Sequence, residues 1–229
     1  MLIRKYPVKN ITALFIAAII IFAAVFVFSP AKAQAAEKDT FSEHYAEAVR
    51  PSSAGRLRVQ DSVLVDEKGV PVQLRGVSTH GLTWFPEFIS DDFISAVSED
   101  WNCGLIRLAM YSENYCGDEK DLSLDLMTEG IEAAISADMY VIVDWHILND
   151  SDPNINREEA KAFFSQISKK YSGYPNLIYE ICNEPNGDTD WDDITAYSRE
   201  IIPVIRENDS EAVVIVGTPD YDRDLDRDL

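Results

Sequence analysis

A chain of 229 residues that is 46% hydrophobic and 26% charged has ordinary globular composition, with room for one substantial core. Its formal net charge of −20 repels nucleic acid and anionic membrane, so neither is expected as a partner. Three widely spaced cysteines, Cys103, Cys116 and Cys182, are not a disulfide framework; Cys103 and Cys182 stand in apolar contexts and read as small core residues.

At the start of the chain, Arg4, Lys5 and Lys9 precede an apolar run from Ile11 to Phe28, and Ala33-Gln34-Ala35 follows as a small-residue cleavage site. Residues 1–35 therefore read as a secretory signal peptide. An uncleaved anchor is the alternative, since about 18 apolar residues nearly span a bilayer. Cleavage removes Arg4, Lys5, Lys9 and Lys32 and no acids, leaving a more acidic, secreted chain with no stable membrane association. Residues 36–55, which include His44, are polar without apolar periodicity and read as a mobile lead-in. Next comes "LRVQDSVLVDEKGVPVQL", two alternating runs around Asp66-Glu67-Lys68-Gly69, a hairpin signal.

A rhythm follows. Strand-like apolar runs occur at 72–78, 105–110, 140–146, 177–184 and 212–218, their starts 33, 35, 37 and 35 residues apart. Helix-period segments lie between them at Asp91–Trp101, Leu124–Ala137, Arg157–Tyr171 and Asp193–Asn208. Ser123 and Asp193 are candidate helix starts, and Pro203 is expected to kink the last helix. Continuous apolar strands alternating with helices imply a parallel sheet covered by helices.

Two architectures fit: an open doubly wound sheet with one ligand-binding switch point, or part of a closed (β/α)8 TIM barrel whose strand ends share one site. The strand ends favour the barrel. All five finish in polar or reactive groups: Ser78 and His80, Arg107, Asp144 and His146, Asn183 and Glu184, and Thr218. No GxGxxG or P-loop follows the first strand. Eight units would run to about residue 350, within the range of the fold. Residues 56–229 thus read as an incomplete α/β barrel domain, truncated after about five βα units.

The stretch "YEICNEPNG", residues 179–187, brings an amide and a carboxylate to the tip of a buried strand. Alternation forbids neighbours from sharing a target in mid-strand. At the tip, Pro185 pushes Glu184 toward an extended conformation, and Asn183 and Glu184 can both turn inward. Glu180 has the parity of Glu184 and is expected to point inside, where Arg107 can pair with it. Asp144 reads as a structural hydrogen-bonding residue. No HxH or HExxH spacing suggests a metal, and no cofactor is expected.

The segments "LRGVSTHGLTWFPEFI", "LIRLAMYSE", "YVIVDWHILNDSDPN" and "LIYEICNEPNG" together resemble the glycoside hydrolase family 5 endoglucanases, secreted cellulases of clan A. The likeness runs from about Leu74 to Pro219. It implies that Glu184 is the general acid/base, that Asn183 bonds the sugar 2-hydroxyl and that Arg107 supports the nucleophile electrostatically. It further implies that His80, His146 and Tyr111 contact the sugar, and that Trp84 and Phe85 flank the cleft. The implied activity is retaining hydrolysis of cellulose-type β-1,4-glucan by a monomer. The family's nucleophile, a Glu on the seventh strand, has no counterpart here, so the chain alone is expected to be inactive. A non-catalytic glucan-binding module, and an enzyme acting on mannan or xyloglucan, are the other readings.

The chemistry asks for these residue types in its own right. Retaining hydrolysis needs two carboxyl groups about 5 Å apart, one a nucleophile and one a proton carrier. An acid working near neutral pH needs a pKa raised by burial or by a neighbouring negative charge. Glucan chains present apolar faces that aromatic rings cover.

Overall fold

A computed structural model describes residues 47–225. The expected signal peptide and most of the expected lead-in, His44 included, lie outside the described residues. In chain order the elements are α1 (Pro51–Ala54), β1 (Arg58–Gln60), β2 (Val63–Val65), β3 (Gly76–Ser78), α2 (Asp91–Glu99), β4 (Leu105–Tyr111), α3 (Ser112–Cys116), α4 (Lys120–Ser136), β5 (Tyr140–His146), α5 (Arg157–Lys170), β6 (Leu177–Glu180), α6 (Trp191–Asn208) and β7 (Val213–Ile215).

Strands β3 to β7 form one sheet in strictly sequential order, every neighbouring pair parallel. A doubly wound sheet would reverse its strand order at a switch point. This one does not. The architecture is that of five consecutive strands of a (β/α)8 barrel with the helices that connect them, in which helices coat the outer face and the C-terminal strand ends converge on one site.

The two faces of the sheet divide the core. Ile106, Leu108 and Met110 of β4, with Val141, Val143 and Trp145 of β5, pack outward against Met127, Ile131, Phe163, Phe164 and Tyr197 of the helices. The opposite parity faces inward, where Tyr140 and Ile178 meet Ala54 and Leu57, with Val72 and Leu74 alongside. The β1–β2 segment and α1 therefore close the N-terminal end of the inner face, leaving the polar positions at the C-terminal strand ends.

Several expectations need correction. The hairpin turns first at Asp61-Ser62, both left-handed with φ of 49° and 63°, so that β1 and β2 pair antiparallel. The turn at Asp66–Gly69 exists as a second one, in which Asp66 Oδ1 accepts from Lys68 N and Val70 N. The chain returns along β2, with Val72 N donating to Leu64 O, and the first barrel strand is shortened to Gly76–Ser78. Ser123 is buried inside α4, which begins at Lys120. Asp190, not Asp193, caps α6; Asp193 is the reciprocal partner in a capping box. Pro203 lies inside α6, on its exposed face.

The described end of the lead-in is docked. Ser52 donates to Asp138 through its N and its Oγ at 2.9 and 2.5 Å, and Arg50 reaches Ser98 Oγ at 2.6 Å. Gly104 lets this segment approach, since a Cβ there would stand 2.3 Å from Val49 O.

Arg56 ties the same face together. It grips Asp209 with two contacts of 2.8 and 2.9 Å and donates to the carbonyls of Ser172 and Tyr174. Asp209 is only 5% exposed, so losing its partner strands a buried carboxylate. Arg56→Ala is expected to cost about 1–3 kcal/mol, read as a lowered urea midpoint. Arg56→Lys, which keeps the charge but not the fork, should recover part of it.

Candidate active site at the strand ends

Register sets the layers of the site. Ala109, Asp144 and Glu180 pair across β4, β5 and β6 in one layer, with Arg107 one layer below and Tyr111 beside His146 one layer above. These residues share the inward parity. From its own layer Arg107 extends upward to the carboxylates.

Arg107 is the hub. Its Nε and one terminal nitrogen donate to Glu180 at 2.7 and 2.8 Å, in a bidentate grip. The same nitrogen donates to Asn183 Oδ1 at 2.8 Å and lies 2.8 Å from Asp144 Oδ2. The other terminal nitrogen donates to Ser78 Oγ at 3.3 Å. Burial works against the guanidinium charge, but the Glu180 hydrogen bond and the charges of Asp144, Glu180 and Glu184 outweigh it and raise its pKa. The expected Arg107–Glu180 pair is therefore present.

Strand β6 stops at Glu180, and the chain bends at Ile181 and Asn183. That bend ends the alternation, so Asn183 can face Arg107 although its parity is opposite to that of Glu180. Asn183 Nδ2 lies 3.2 Å from His146 Nε2 and donates to Ile147 O at 3.4 Å. Glu184 follows, half-buried, near enough for its charge to act on Arg107, Tyr111, Asp144 and His146. Asn186 fixes the exit by donating to Leu148 O and Glu184 O at 3.1 and 2.9 Å.

Behind the tip, Gly217 leaves no room for a side chain. A Cβ there would fall 2.0 Å from Asn183 O, 2.7 Å from Cys182 O and 2.8 Å from Pro185 Cδ. The Gly217 N–H donates to Cys182 O at 3.0 Å, so the segment after β7 packs directly on the turn that presents Asn183 and Glu184.

Burial shapes the titration of the inner groups. Asp144 is fully buried, and burial, then the charge of Glu180, push its carboxyl well above the usual range against the pull of Arg107. His146 is pushed down to about 4, first by burial and then by Arg107. It is therefore neutral at pH 7. Burial, followed by the charge of Asp144, raises the Tyr111 hydroxyl.

An aromatic wall completes the site. Tyr111 lies against His146 with ring centroids 4.2 Å apart and against Trp84 at 4.4 Å. It is parallel to His80 at 5.7 Å, and His80 reaches Trp84 at 5.1 Å and Phe85 at 5.8 Å. Trp84 and Phe85 are 46% and 42% exposed, which leaves ring surface free for a ligand with apolar faces. Gly81 N donates to His80 Nδ1 at 2.8 Å, fixing that ring to the loop.

All eight residues singled out in the sequence, His80, Trp84, Phe85, Arg107, Tyr111, His146, Asn183 and Glu184, lie at these strand ends. Sequence reading missed Gly217, whose importance comes from a contact with a segment 34 residues earlier, and the place of Ser78 as a partner of Arg107. No cluster of metal-ligating side chains occurs among the described residues. Asp144 and Glu180 are held by Arg107, so neither is presented as a free carboxylate.

Residues 65–228 match the family model described as Cellulase (glycosyl hydrolase family 5). Endoglucanase A of Butyrivibrio fibrisolvens is 47% identical over 178 residues, which cover 75% of this chain and 41% of that protein. An endoglucanase of Clostridium saccharobutylicum is 42% identical over 184 residues, 79% of this chain and 41% of its own length. Among solved structures, the catalytic domain of a Thermobifida fusca endoglucanase in complex with cellotetraose superimposes with a TM-score of 0.72 at 42% identity. That superposition covers 75% of this chain and 56% of the solved one. The chain thus spans about two fifths of the length of these two relatives.

Proposed function

The chain belongs to glycosyl hydrolase family 5, and on that premise we propose that it is part of a secreted endo-β-1,4-glucanase that hydrolyses cellulose-type β-glucans by the retaining route. The observation that carries the reading is the tip of β6, where Glu184 stands beside an Asn183 amide held by Arg107 and His146, next to a partly exposed aromatic wall. A proton carrier must lie beside the glycosidic oxygen, and rings must hold the sugars. In this proposal Glu184 gives its proton to the leaving oxygen and later takes one from water. Asn183 bonds the sugar 2-hydroxyl, and His80, Tyr111, His146, Trp84 and Phe85 line the cleft.

The partner carboxylate is not assigned to Asp144 or Glu180, because Arg107 occupies both. It is expected on a later strand of the family barrel, of which this chain spans 56% in the solved relative. We assign residues 1–35 to a signal peptide, 36–55 to a lead-in and 56–229 to the barrel domain, in a monomeric secreted protein. Endoglucanase names among the relatives, and the cellotetraose bound to one of them, support the choice of β-1,4-glucan over mannan or xyloglucan.

Titration with cellotetraose, followed by tryptophan fluorescence, tests this. The 229-residue segment is expected to bind cellotetraose more tightly than mannotetraose and to hydrolyse neither. Trp84→Ala should weaken binding about tenfold, the loss of one stacking surface. Equal binding of both sugars, insensitive to Trp84, would overturn the cellulose reading. Turnover by this segment would overturn the assignment of the partner carboxylate to a later strand.

A further inference from the structure

Four side chains at the strand ends form a closed ring whose polarity follows from one fact: arginine can only donate. Arg107 faces Asn183 at 2.8 Å, so the amide atom turned toward it is the accepting Oδ1. The Asn183 nitrogen must then face His146 Nε2, 3.2 Å away, and donate to it. A ring nitrogen that accepts carries no proton, so in the neutral imidazole the proton sits on Nδ1. Nδ1 lies 2.7 Å from Asp144 Oδ2, which accepts it. That same oxygen is 2.8 Å from Arg107, closing the ring through an ion pair. Asp144 Oδ1 is buried without a hydrogen-bond partner, so this carboxylate meets the site through Oδ2 alone.

We propose that Asp144 is a positioning residue that holds the proton of His146 on Nδ1 and, through the bare Nε2, fixes the direction in which Asn183 presents its amide. Asp144 lies behind His146, and Asn183 stands between them and Glu184 along the chain. Its contribution is therefore preorganisation: the amide beside the acid/base is oriented before a sugar arrives, and no hydrogen bond has to reverse when one binds. The contribution to hydrolysis rests on the reading of this cleft as a glycosidase site. The proton position does not, and can be measured without substrate.

Nitrogen NMR of the labelled full chain at pH 7 tests the proposal. The chain has three histidines, so a His146→Gln control assigns the signals. Wild type is expected to show His146 with Nδ1 protonated and Nε2 bare. In Asp144→Ala the proton should move wholly or partly to Nε2. Asp144→Asn keeps an accepting oxygen and should retain the Nδ1 proton, a rescue that a merely structural role would not produce. A wild-type His146 protonated on Nε2 overturns the proposal, whether or not a variant folds. So does a folded Asp144→Ala whose His146 signals match wild type. If the proton behaves as expected but a completed barrel hydrolyses no glucan, the glycosidase reading fails and the positioning role stands.

Discussion

Glu184→Gln, in a barrel completed with the remaining βα units of the family, is expected to slow hydrolysis of cellulose by about 10²–10⁴-fold while leaving cellotetraose binding nearly unchanged. Glutamine keeps the shape of the side chain and of the β6 tip, which is fixed by Asn186 and Gly217 rather than by the carboxyl group. It lacks the proton that a sugar leaving group needs. An aryl glycoside with an acidic phenol leaves without that proton, so its first step should lose far less. Breakdown of the glycosyl-enzyme would then limit turnover, because on the proposed retaining route the same residue activates water. Azide needs no base to attack and should restore turnover of the aryl substrate, giving a glycosyl azide of retained configuration. Equal losses on both substrates, with no response to azide, would mean that the proton carrier lies elsewhere.

Arg107→Met should be the most damaging change to the folding of the site. It strands Asp144, whose side chain is wholly buried, and Glu180, 11% exposed, without their shared cation. Breaking a buried pair by removing one partner costs about 3–5 kcal/mol, read by urea denaturation of a completed barrel at pH 7.5. The cost should shrink on acidification. Asp144 already binds its proton more tightly when folded than an unfolded Asp of pKa about 3.9. Loss of Arg107 raises that folded value further. Between the two values the folded state holds a proton that the unfolded chain has released, so the variant gains stability as the pH falls through that window. His146 contributes in the other direction. Its folded pKa is depressed to about 4, so its stabilising contribution is complete above about 6.5 and is lost as the pH falls toward 4. Removing Arg107 weakens this depression too. Both effects narrow the gap between wild type and variant at pH 5, and a gap that widens instead would show that Asp144 is not the stranded group.

Much of this site was legible because parallel strands are covered on both faces and so read as uninterrupted apolar runs. The 35-residue rhythm located β4 and β5 to within a residue, and the parity of Glu180 with Glu184 was enough to pair it with Arg107. The misreadings have local physical causes. Asp61-Ser62 turns the first hairpin without the Gly or Asn-Gly that usually announces two left-handed residues, so the conspicuous Asp66–Gly69 turn drew the prediction. A capping box places acidic residues at both its ends, so the sequence alone does not separate Asp190 from Asp193 as the cap of α6. The apolar run at 72–78 overstates β3, since its first part returns along β2 before the chain enters the barrel. The direction of the hydrogen bonds among Arg107, Asn183, His146 and Asp144 is a property of three-dimensional proximity that no spacing encodes.

Gly217 offers a way to separate place from kind in the proposed active site. Replacing it with alanine alters no acid, amide, ring or charge, yet the new methyl must displace the Asn183 carbonyl, only 2.0 Å from where its Cβ would stand. The turn bearing Glu184 would move while every functional group survived. A displacement of about 1 Å can cost on the order of 10²-fold in rate. A Gly217→Ala barrel that still binds cellotetraose but hydrolyses it about a hundredfold more slowly would therefore report how much of the catalytic power resides in where the acid stands, independently of what the acid is.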